Sequence, residues 1–124
     1  MTNVLIANGN PNDVHLLVNL LAQEGYDIDI AEDAAELIDK VLSKDYQALI
    51  LGTDIKGIEG LKAISIIKKI NDKIPIVTIT EDDSLETQRL ARKERIFYYL
   101  LKPVDENEVK EVLKSAVSSQ EKMK

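Results

Sequence analysis

The side chains best suited to chemistry come directly after short apolar runs of the sequence. Asp54 offers a carboxylate, Thr80 a hydroxyl and Lys102 an ammonium, and Glu81 adds a second carboxylate beside Thr80. Carboxylate, hydroxyl and ammonium groups are common participants in ion binding and in nucleophilic or acid–base reactions. Any site chemistry is therefore expected among these residues and their neighbours.

Several other chemistries have no candidate residues. The chain has no cysteine, so it offers no disulfide, no thiolate nucleophile and no cysteine-bound metal. Its single histidine, His15, has no second histidine near it and is expected on a helix surface. No Ser/His/Asp grouping is indicated, and we expect no catalytic residue and no enzyme activity.

Five segments of strand length, four of them apolar runs and the second an alternation of apolar and acidic residues, alternate with five segments of helical periodicity. The strands are predicted at residues 4–7, 26–30, 48–51, 76–79 and 96–101. The helices are predicted from apolar positions at helical spacing: Val14, Leu17, Val18 and Leu21; Leu37, Ile38, Val41 and Leu42; Leu61, Ile64, Ile67 and Ile70; Leu85, Leu90 and Ala91; Val109, Val112, Leu113 and Ala116. This alternation predicts a parallel sheet with helices on both faces.

Local signals mark where the helices begin and end. Asn10 is a cap with Pro11 at the first helical position, and Asp33 and Ser84 are predicted caps of the second and fourth helices. Arg95 occupies the place where a helix usually ends on glycine, so an irregular end is expected there. In a parallel sheet, ligands bind beyond the carboxyl ends of the strands, where the polar residues named above lie.

The bulk properties fit one compact domain. The 124 residues carry a net charge of −6, which disfavours nucleic-acid binding, and no segment approaches the ~20 apolar residues of a membrane span. We expect a cytoplasmic protein that binds neither nucleic acid nor membrane through this domain. Residues 1–118 are predicted to form the domain and residues 119–124 a polar tail.

The charge is unevenly distributed along the chain. Residues 1–60 hold 3 Lys/Arg against 11 Asp/Glu, a net charge of −8, whereas residues 61–124 hold 13 against 11. Much of the basic charge lies on and after the fourth helix, near two tyrosines. These residues are a candidate interaction surface, although a solvated helix face explains them equally well: Arg89, Arg92, Lys93, Arg95, Tyr98 and Tyr99.

The segments VLIANGNPND, AEDAAEL, YQALILGTDIKGIEGL, IPIVTIT and YYLLKPVDENEV resemble the receiver domain of two-component response regulators. The resemblance extends from about residue 3 to residue 117 and implies a flavodoxin-like (βα)5 fold with strand order 2-1-3-4-5. Receivers carry an acidic pair that binds Mg²⁺, a phosphoaccepting aspartate, a hydroxyl and a lysine at the strand ends. In this sequence Thr80 matches the hydroxyl, Lys102 the lysine and Tyr99 the aromatic switch residue.

The acidic positions of the family are not matched. Aligning Gly57 and Gly60 with the family's glycines places Gly52 at the phosphoaccepting aspartate, and Asn8 and Gly9 fall on the acidic pair. Phosphoryl transfer needs a nucleophilic oxygen and a cation held by carboxylates. The resemblance therefore indicates a degenerate pseudo-receiver with weak or absent Mg²⁺ binding and no other cofactor.

The remaining pocket residues have alternative interpretations. Asp54 is either a displaced phosphoacceptor, a solvated loop acid or a partner of Lys102. Lys102 pairs with Asp54 or with backbone carbonyls, or extends to water. Thr80 either tracks a phosphoryl group or simply ends a strand. Tyr98 and Tyr99 either belong to the interaction surface or are simply strand residues, with one ring packed and the other exposed.

The predicted function is a signal transduction module of a phosphorelay-type system that acts by protein–protein interaction without phosphorylation. A kinase or an output domain is the expected class of partner. Two alternatives remain: an atypical phosphoacceptor that uses Asp54, and a flavodoxin-like domain that binds a small molecule.

Overall fold

The computed structural model describes residues 2–52, 55–58 and 60–122, in which five strands alternate with five helices. The strands are β1 (Asn3–Ala7), β2 (Asp27–Ala31), β3 (Ala48–Gly52), β4 (Ile76–Thr80) and β5 (Tyr98–Leu101). The helices are α1 (Pro11–Ala22), α2 (Ala34–Ser43), α3 (Gly60–Ile70), α4 (Leu85–Lys93) and α5 (Glu106–Lys122).

The strands form one parallel sheet in the order β2-β1-β3-β4-β5, which confirms the predicted flavodoxin-like topology. The second strand lies on one side of β1, and β3, β4 and β5 follow in order on its other side, so the strand order switches between the two central strands β1 and β3. The register pairs Ala7 with Leu51, Gly52 with Ile79 and Thr80 with Leu101. These pairs place the carboxyl ends of β1, β3, β4 and β5 along one edge of the sheet.

Side-chain caps fix the starts of the helices as predicted. The side chain of Asn10 accepts hydrogen bonds from the backbone N–H groups of Asn12 and Asp13, and Pro11 occupies the first turn of α1. Asp33 caps α2 through the N–H of Glu36. Each cap satisfies backbone donors that have no partner inside the helix, and a cap of this kind contributes about 1 kcal/mol.

The hydrophobic core has two parts, one on each face of the sheet. One face of β1, β3, β4 and β5 packs against α1 and α5, with Ile6, Ile50 and Leu100 fully buried. The opposite face packs against α2 and α3 around Leu5 and Ile64. The strands β1, β3 and β4 lie between the edge strands β2 and β5 and are buried along nearly their whole length. The sheet is therefore a rigid base for the residues that follow the strands.

Helix α4 contacts the core differently from the prediction. Of its nine residues, all of which the structure describes, the buried ones are Thr87 and Ala91, whereas Leu85 is 68% exposed and Leu90 is 42% exposed. The hydroxyl of Thr87 donates a hydrogen bond to the Asp82 carboxylate in the loop before the helix. The predicted apolar face of Leu85, Leu90 and Ala91 is therefore wrong except for Ala91.

Smaller differences concern Leu42 and the ends of β5 and α5. Leu42 was assigned to the apolar face of α2 but is 66% exposed. Strand β5 starts two residues later than predicted, because the N–H of Ile96 still bonds to the Ala91 carbonyl at the end of α4. Helix α5 continues through residue 122, so the first four residues of the predicted tail are helical; the boundary at residue 118 stays a prediction.

Arg95 ends helix α4 in the left-handed conformation with φ of 56°. The irregular helix end that the sequence predicts at this arginine is therefore present. Separately, no helix in the described part of the chain is long and apolar enough to span a membrane.

Candidate functional site

The carboxyl edge of the sheet brings together most of the residues that the sequence singled out. Asn8 directly follows β1 and donates its backbone N–H to the Ala31 carbonyl of β2. Gly52 and Thr80 are the last residues of β3 and β4. Lys102 follows β5 and donates its backbone N–H to Thr80, so the sheet itself sets these positions.

The side chain of Asn8 fills the space beside Gly52. Asn8 is 2% exposed, and a β-carbon built at Gly52 would lie 2.4 Å from its Nδ2 and 2.7 Å from its Cγ. The Oδ1 of Asn8 also accepts a hydrogen bond from the backbone N–H of Asn10 at 2.8 Å, which fixes the amide in this orientation. Any side chain at position 52 would therefore require Asn8 to move.

The residues at the acidic-pair positions do not fit a magnesium site. Asn8 supplies a neutral amide that is already hydrogen-bonded, and Gly9 supplies no side chain. In residues 2–52, 55–58 and 60–122, no group of three or more acidic or histidine side chains is arranged to hold a metal ion. Asp54 lies outside the described residues, so its predicted roles and the weak binding of Mg²⁺ stay predictions.

Lys102 reaches helix α1. Its Nζ donates a hydrogen bond to Oδ2 of Asp13, and the two side chains are 17% and 20% exposed. The predicted pairing of Lys102 with Asp54 falls on a residue outside the described part of the chain. Asp13 was not among the sequence candidates; its place in the first turn of α1, close to the end of β1, is the signal that could have found it.

The loop between β4 and α4 is organised around Asp82. The Oγ1 of Thr80 accepts a hydrogen bond from the backbone N–H of Asp82 at 3.1 Å, and the Tyr99 hydroxyl donates to the Asp82 carbonyl. The Asp82 carboxylate accepts from the Thr87 hydroxyl at 2.6 Å and from the Ser84 N–H at 2.9 Å. Thr80 and Tyr99 therefore both hold the loop that leads into α4.

These contacts shift two pKa values. The hydrogen bond from Thr87, followed by those from Ser84, lowers the pKa of Asp82 because both stabilise the carboxylate. Burial raises the pKa of the Tyr99 hydroxyl, and the charges of Asp82 and Asp83 raise it further. The central position of Asp82 depends on contacts that sequence spacing does not show.

The candidate interaction surface is exposed along α4 and β5. Four basic side chains of this surface are exposed, and Tyr98 is 41% exposed while Tyr99 is partly buried, as the prediction of one packed and one exposed ring requires. Apolar side chains are exposed beside them. The basic residues are Arg89, Arg92, Lys93 and Arg95, and the exposed apolar residues are Leu85, Leu90, Phe97 and Leu101.

A family model described as the response regulator receiver domain matches residues 4–114. The chain belongs to the response regulator receiver domain family. The topology and the strand-end positions of Thr80 and Lys102 are those that the resemblance implied for a receiver.

Individual relatives agree with this family. The transcriptional regulatory protein ZraR of Salmonella typhimurium is 26% identical over 115 residues, which cover 93% of this chain and 26% of that protein. This receiver thus spans about a quarter of the length of the curated relatives it matches. A CheY-like receiver domain protein from Methanospirillum hungatei JF-1 superposes with a TM-score of 0.93 at 22% identity, covering all of this chain and 99% of that one.

A third relative was solved with a metal. The response regulator protein TrrA from Thermotoga maritima, in complex with Mg²⁺ and BeF, is 29% identical and superposes with a TM-score of 0.83. The match covers 94% of this chain and 99% of TrrA. The receiver fold of this chain is thereby established.

Proposed function

We propose that this receiver domain is a pseudo-receiver, which transmits signals by protein–protein contact without being phosphorylated. The observation that carries the proposal is the packing of the Asn8 side chain against Gly52. The position that the resemblance assigns to the phosphoacceptor has no nucleophile, and the space for one is filled by a buried, hydrogen-bonded amide. An incoming phosphoryl group would find neither an acceptor oxygen nor room for one at this point.

The other pocket residues support the same proposal. The Thr80 hydroxyl accepts a hydrogen bond from the loop before α4, and the Lys102 ammonium is engaged by Asp13. Both side chains therefore already have roles within the protein that need no phosphoryl group. A hard cation would also have no negative charge from Asn8 or Gly9 to balance its own.

The surface proposed to carry the signal combines α4 and β5. Arginine and tyrosine are favoured where proteins bind each other, and here they lie beside exposed leucine and phenylalanine side chains on a protein of net negative charge. A partner with an acidic rim around an apolar centre would complement this surface. A kinase or an output domain is the proposed class of partner.

The proposal also includes the expectations about location, catalysis, cofactors and other ligands. The domain works in the cytoplasm, has no catalytic residue of its own, needs no cofactor and binds neither nucleic acid nor membrane. The two alternatives to it are phosphorylation of Asp54 and a flavodoxin-like domain whose role is to bind a small molecule in place of a protein partner; they make different predictions and are separated by experiment.

The deciding experiment is incubation with acetyl phosphate and Mg²⁺, followed by intact-mass measurement. The pseudo-receiver should gain no phosphoryl mass under conditions in which a receiver with an acceptor aspartate is phosphorylated in parallel. The variant Asp54→Ala is measured beside the wild type. A phosphoryl mass that appears on the wild type and is absent from Asp54→Ala would replace the proposal with the atypical phosphoacceptor.

A further inference from the structure

A cleft opens at the carboxyl edge of the sheet, on the side of α1, and Gly52 is not among the residues that line it. Its volume is about 630 Å³, within the range of roughly 300 to 1,000 Å³ that is usual for small-molecule sites. It lies between the first turns of α1, the end of β4 and the turn that follows β5. The lining residues are Asp13, Leu16, Leu17, Ile79, Glu81, Lys102, Pro103 and Val104.

Most of the cleft wall is apolar. Leu17 and Ile79 form a buried base that belongs to the core between the sheet and α1. Leu16 is 39% exposed, and Val104 packs against the same core from the turn after β5. An apolar body placed here would remove Leu16 from water, which is favourable in proportion to the area covered.

The charged groups of the cleft are arranged at its rim. Lys102 and Asp13 are joined by a hydrogen bond and largely neutralise each other. Glu81 is exposed, and within the described part of the chain no hydrogen bond or ion pair engages its carboxylate. The lining as a whole has two carboxylates and one ammonium.

The charged residues near the cleft are also mainly negative. Helix α1 contributes Asp13 and no lysine or arginine, and Asp82 and Asp83 directly follow Glu81 in the chain. A concave, partly apolar site in a negative field concentrates cations and disfavours anions. A neutral ligand would leave the Glu81 carboxylate without a partner.

We propose that this cleft binds a small organic cation, namely a primary ammonium attached to an apolar body about the size of one ring. The ammonium pairs with Glu81, and the body packs on Leu16, Leu17 and Val104. Such a ligand contacts α1, the loop before α4 and the turn after β5 together. Its binding would therefore stabilise the folded state and give the domain an input that needs no phosphorylation.

The proposal is independent of the pseudo-receiver proposal, because neither the acceptor position nor the α4 and β5 surface takes part. If no ligand binds in the cleft, the expected result of the phosphodonor experiment stays the same. If the protein is phosphorylated, the expected binding in the cleft stays the same.

The test uses the full 124-residue chain and two probes of nearly equal size and opposite charge, 2-phenylethylammonium and 3-phenylpropanoate. Amide resonances are followed by two-dimensional ¹H–¹⁵N NMR during titration. We expect saturable shifts with the ammonium probe at a Kd of about 1 mM or tighter, centred on Leu16, Glu81 and Val104. The carboxylate probe should bind at least several-fold more weakly.

Two variants test the contact with Glu81. Glu81→Gln should weaken ammonium binding about two- to fivefold, as expected for one solvent-exposed ion pair. Glu86→Gln makes the same charge change on an exposed residue of α4 outside the cleft and should leave the Kd unchanged. Any one of four results would overturn the proposal. They are no saturation at a probe concentration of about 10 mM, tenfold above the expected Kd, shifts centred away from the cleft, equal binding of both probes, and an unchanged Kd in Glu81→Gln.

Discussion

Asn8 and Gly52 depend on each other at the scale of single residues. The amide of Asn8 occupies the volume that a β-carbon at position 52 would need, and its own orientation is held by Asn10. The missing side chain at the end of β3 is thus matched by a neighbour that fills the space. Changing either residue alone should disturb the other.

Gly52→Ala should destabilise the domain by about 2 kcal/mol, because the added carbon overlaps a buried amide and overpacking typically costs 1–3 kcal/mol. Asn8→Ala removes the overlapping atoms, so the double variant should lose less than the sum of the two single losses. The free energies of unfolding are measured by urea denaturation as a double-mutant cycle.

Asn8→Asp is the matched control for that cycle. Aspartate has nearly the shape of asparagine, so the overlap with a new side chain at position 52 would remain and the rescue should be absent. Losses that add within about 0.5 kcal/mol in the Asn8→Ala cycle would show that the two residues are not coupled.

The contacts of Asp82 should make the stability of the domain depend on pH. Its folded-state pKa is lowered, first by the hydrogen bond from Thr87, so its contribution to stability is complete above the ordinary aspartate pKa. That contribution is lost as the pH falls through the lowered pKa, below about pH 4. Thr87→Val should raise the pKa of Asp82 toward its ordinary range, as followed by NMR of the side-chain carboxyl carbon.

Tyr99→Phe is the control for this titration. The Tyr99 hydroxyl bonds to the backbone carbonyl of Asp82 and not to its carboxylate, so its removal should change the pKa much less than Thr87→Val does. An equal or larger change in Tyr99→Phe would mean that the loop as a whole sets the pKa of Asp82.

At the scale of elements, α4 differs from the other helices in its weak attachment to the core. Its buried residues are Thr87 and Ala91. The loop that precedes it is held at Asp82, whose N–H donates to the Thr80 hydroxyl and whose oxygens accept from the Ser84 N–H and the Tyr99 hydroxyl. The helix ends on Arg95 in a conformation that non-glycine residues adopt at a cost of about 1–2 kcal/mol. Helix α4 carries Arg89, Arg92 and Lys93, so half of the proposed docking residues lie on a helix that contributes no residue to either core cluster.

Arg95→Gly should stabilise the domain by about 0.5–1 kcal/mol. Glycine removes the cost of the left-handed conformation, and its greater freedom in the unfolded chain offsets part of the gain. The Lys68 ammonium bonds to the backbone carbonyl of residue 95, and the substitution keeps this bond. The measurement is the midpoint and free energy of urea unfolding.

Glu94→Gly provides the comparison at the adjacent position. Glu94 has a φ of −81°, where glycine brings no conformational relief, and the substitution should destabilise the domain. If Arg95→Gly destabilises the domain as much as Glu94→Gly does, the arginine side chain contributes more to the free energy of unfolding than its backbone conformation costs.

At the scale of the whole molecule, the separation of charge gives the receiver two unlike sides. The first sixty residues carry a net charge of −8, and the basic residues of α4 lie on a separate surface with exposed leucine, phenylalanine and tyrosine. This separation supports a partner that approaches α4 and β5 and is repelled elsewhere.

Reversing two charges on α4, Arg89→Glu with Arg92→Glu, should weaken a partner that wild-type protein captures, with unfolding unchanged. Lys40→Glu with Lys56→Glu changes the net charge equally and lies outside α4 and β5, so binding should persist. Affinities are compared by calorimetry with the purified partner. Equal affinities for both double variants would exclude the α4 surface as the docking site.

The architecture followed from local patterns of the sequence. Alternating apolar runs, the caps Asn10, Asp33 and Ser84, and Arg95 in place of a terminal glycine depend on residues within a few positions of one another. These interactions are short in range, so spacing along the chain contains the information. The parallel sheet and the positions of Thr80 and Lys102 at its carboxyl edge were therefore predictable, and the receiver resemblance supplied the strand order.

Contacts between distant segments were decided only in the folded molecule. Asn8 meets Gly52, Lys102 meets Asp13, and Tyr99 meets Asp82 because the sheet register brings together strand ends that are far apart in sequence. The sequence by itself determined that glycine stands at the position that the resemblance assigns to the acceptor. Only the tertiary structure decided that a neighbouring amide fills that space, since packing across strands depends on three-dimensional distance and not on spacing along the chain.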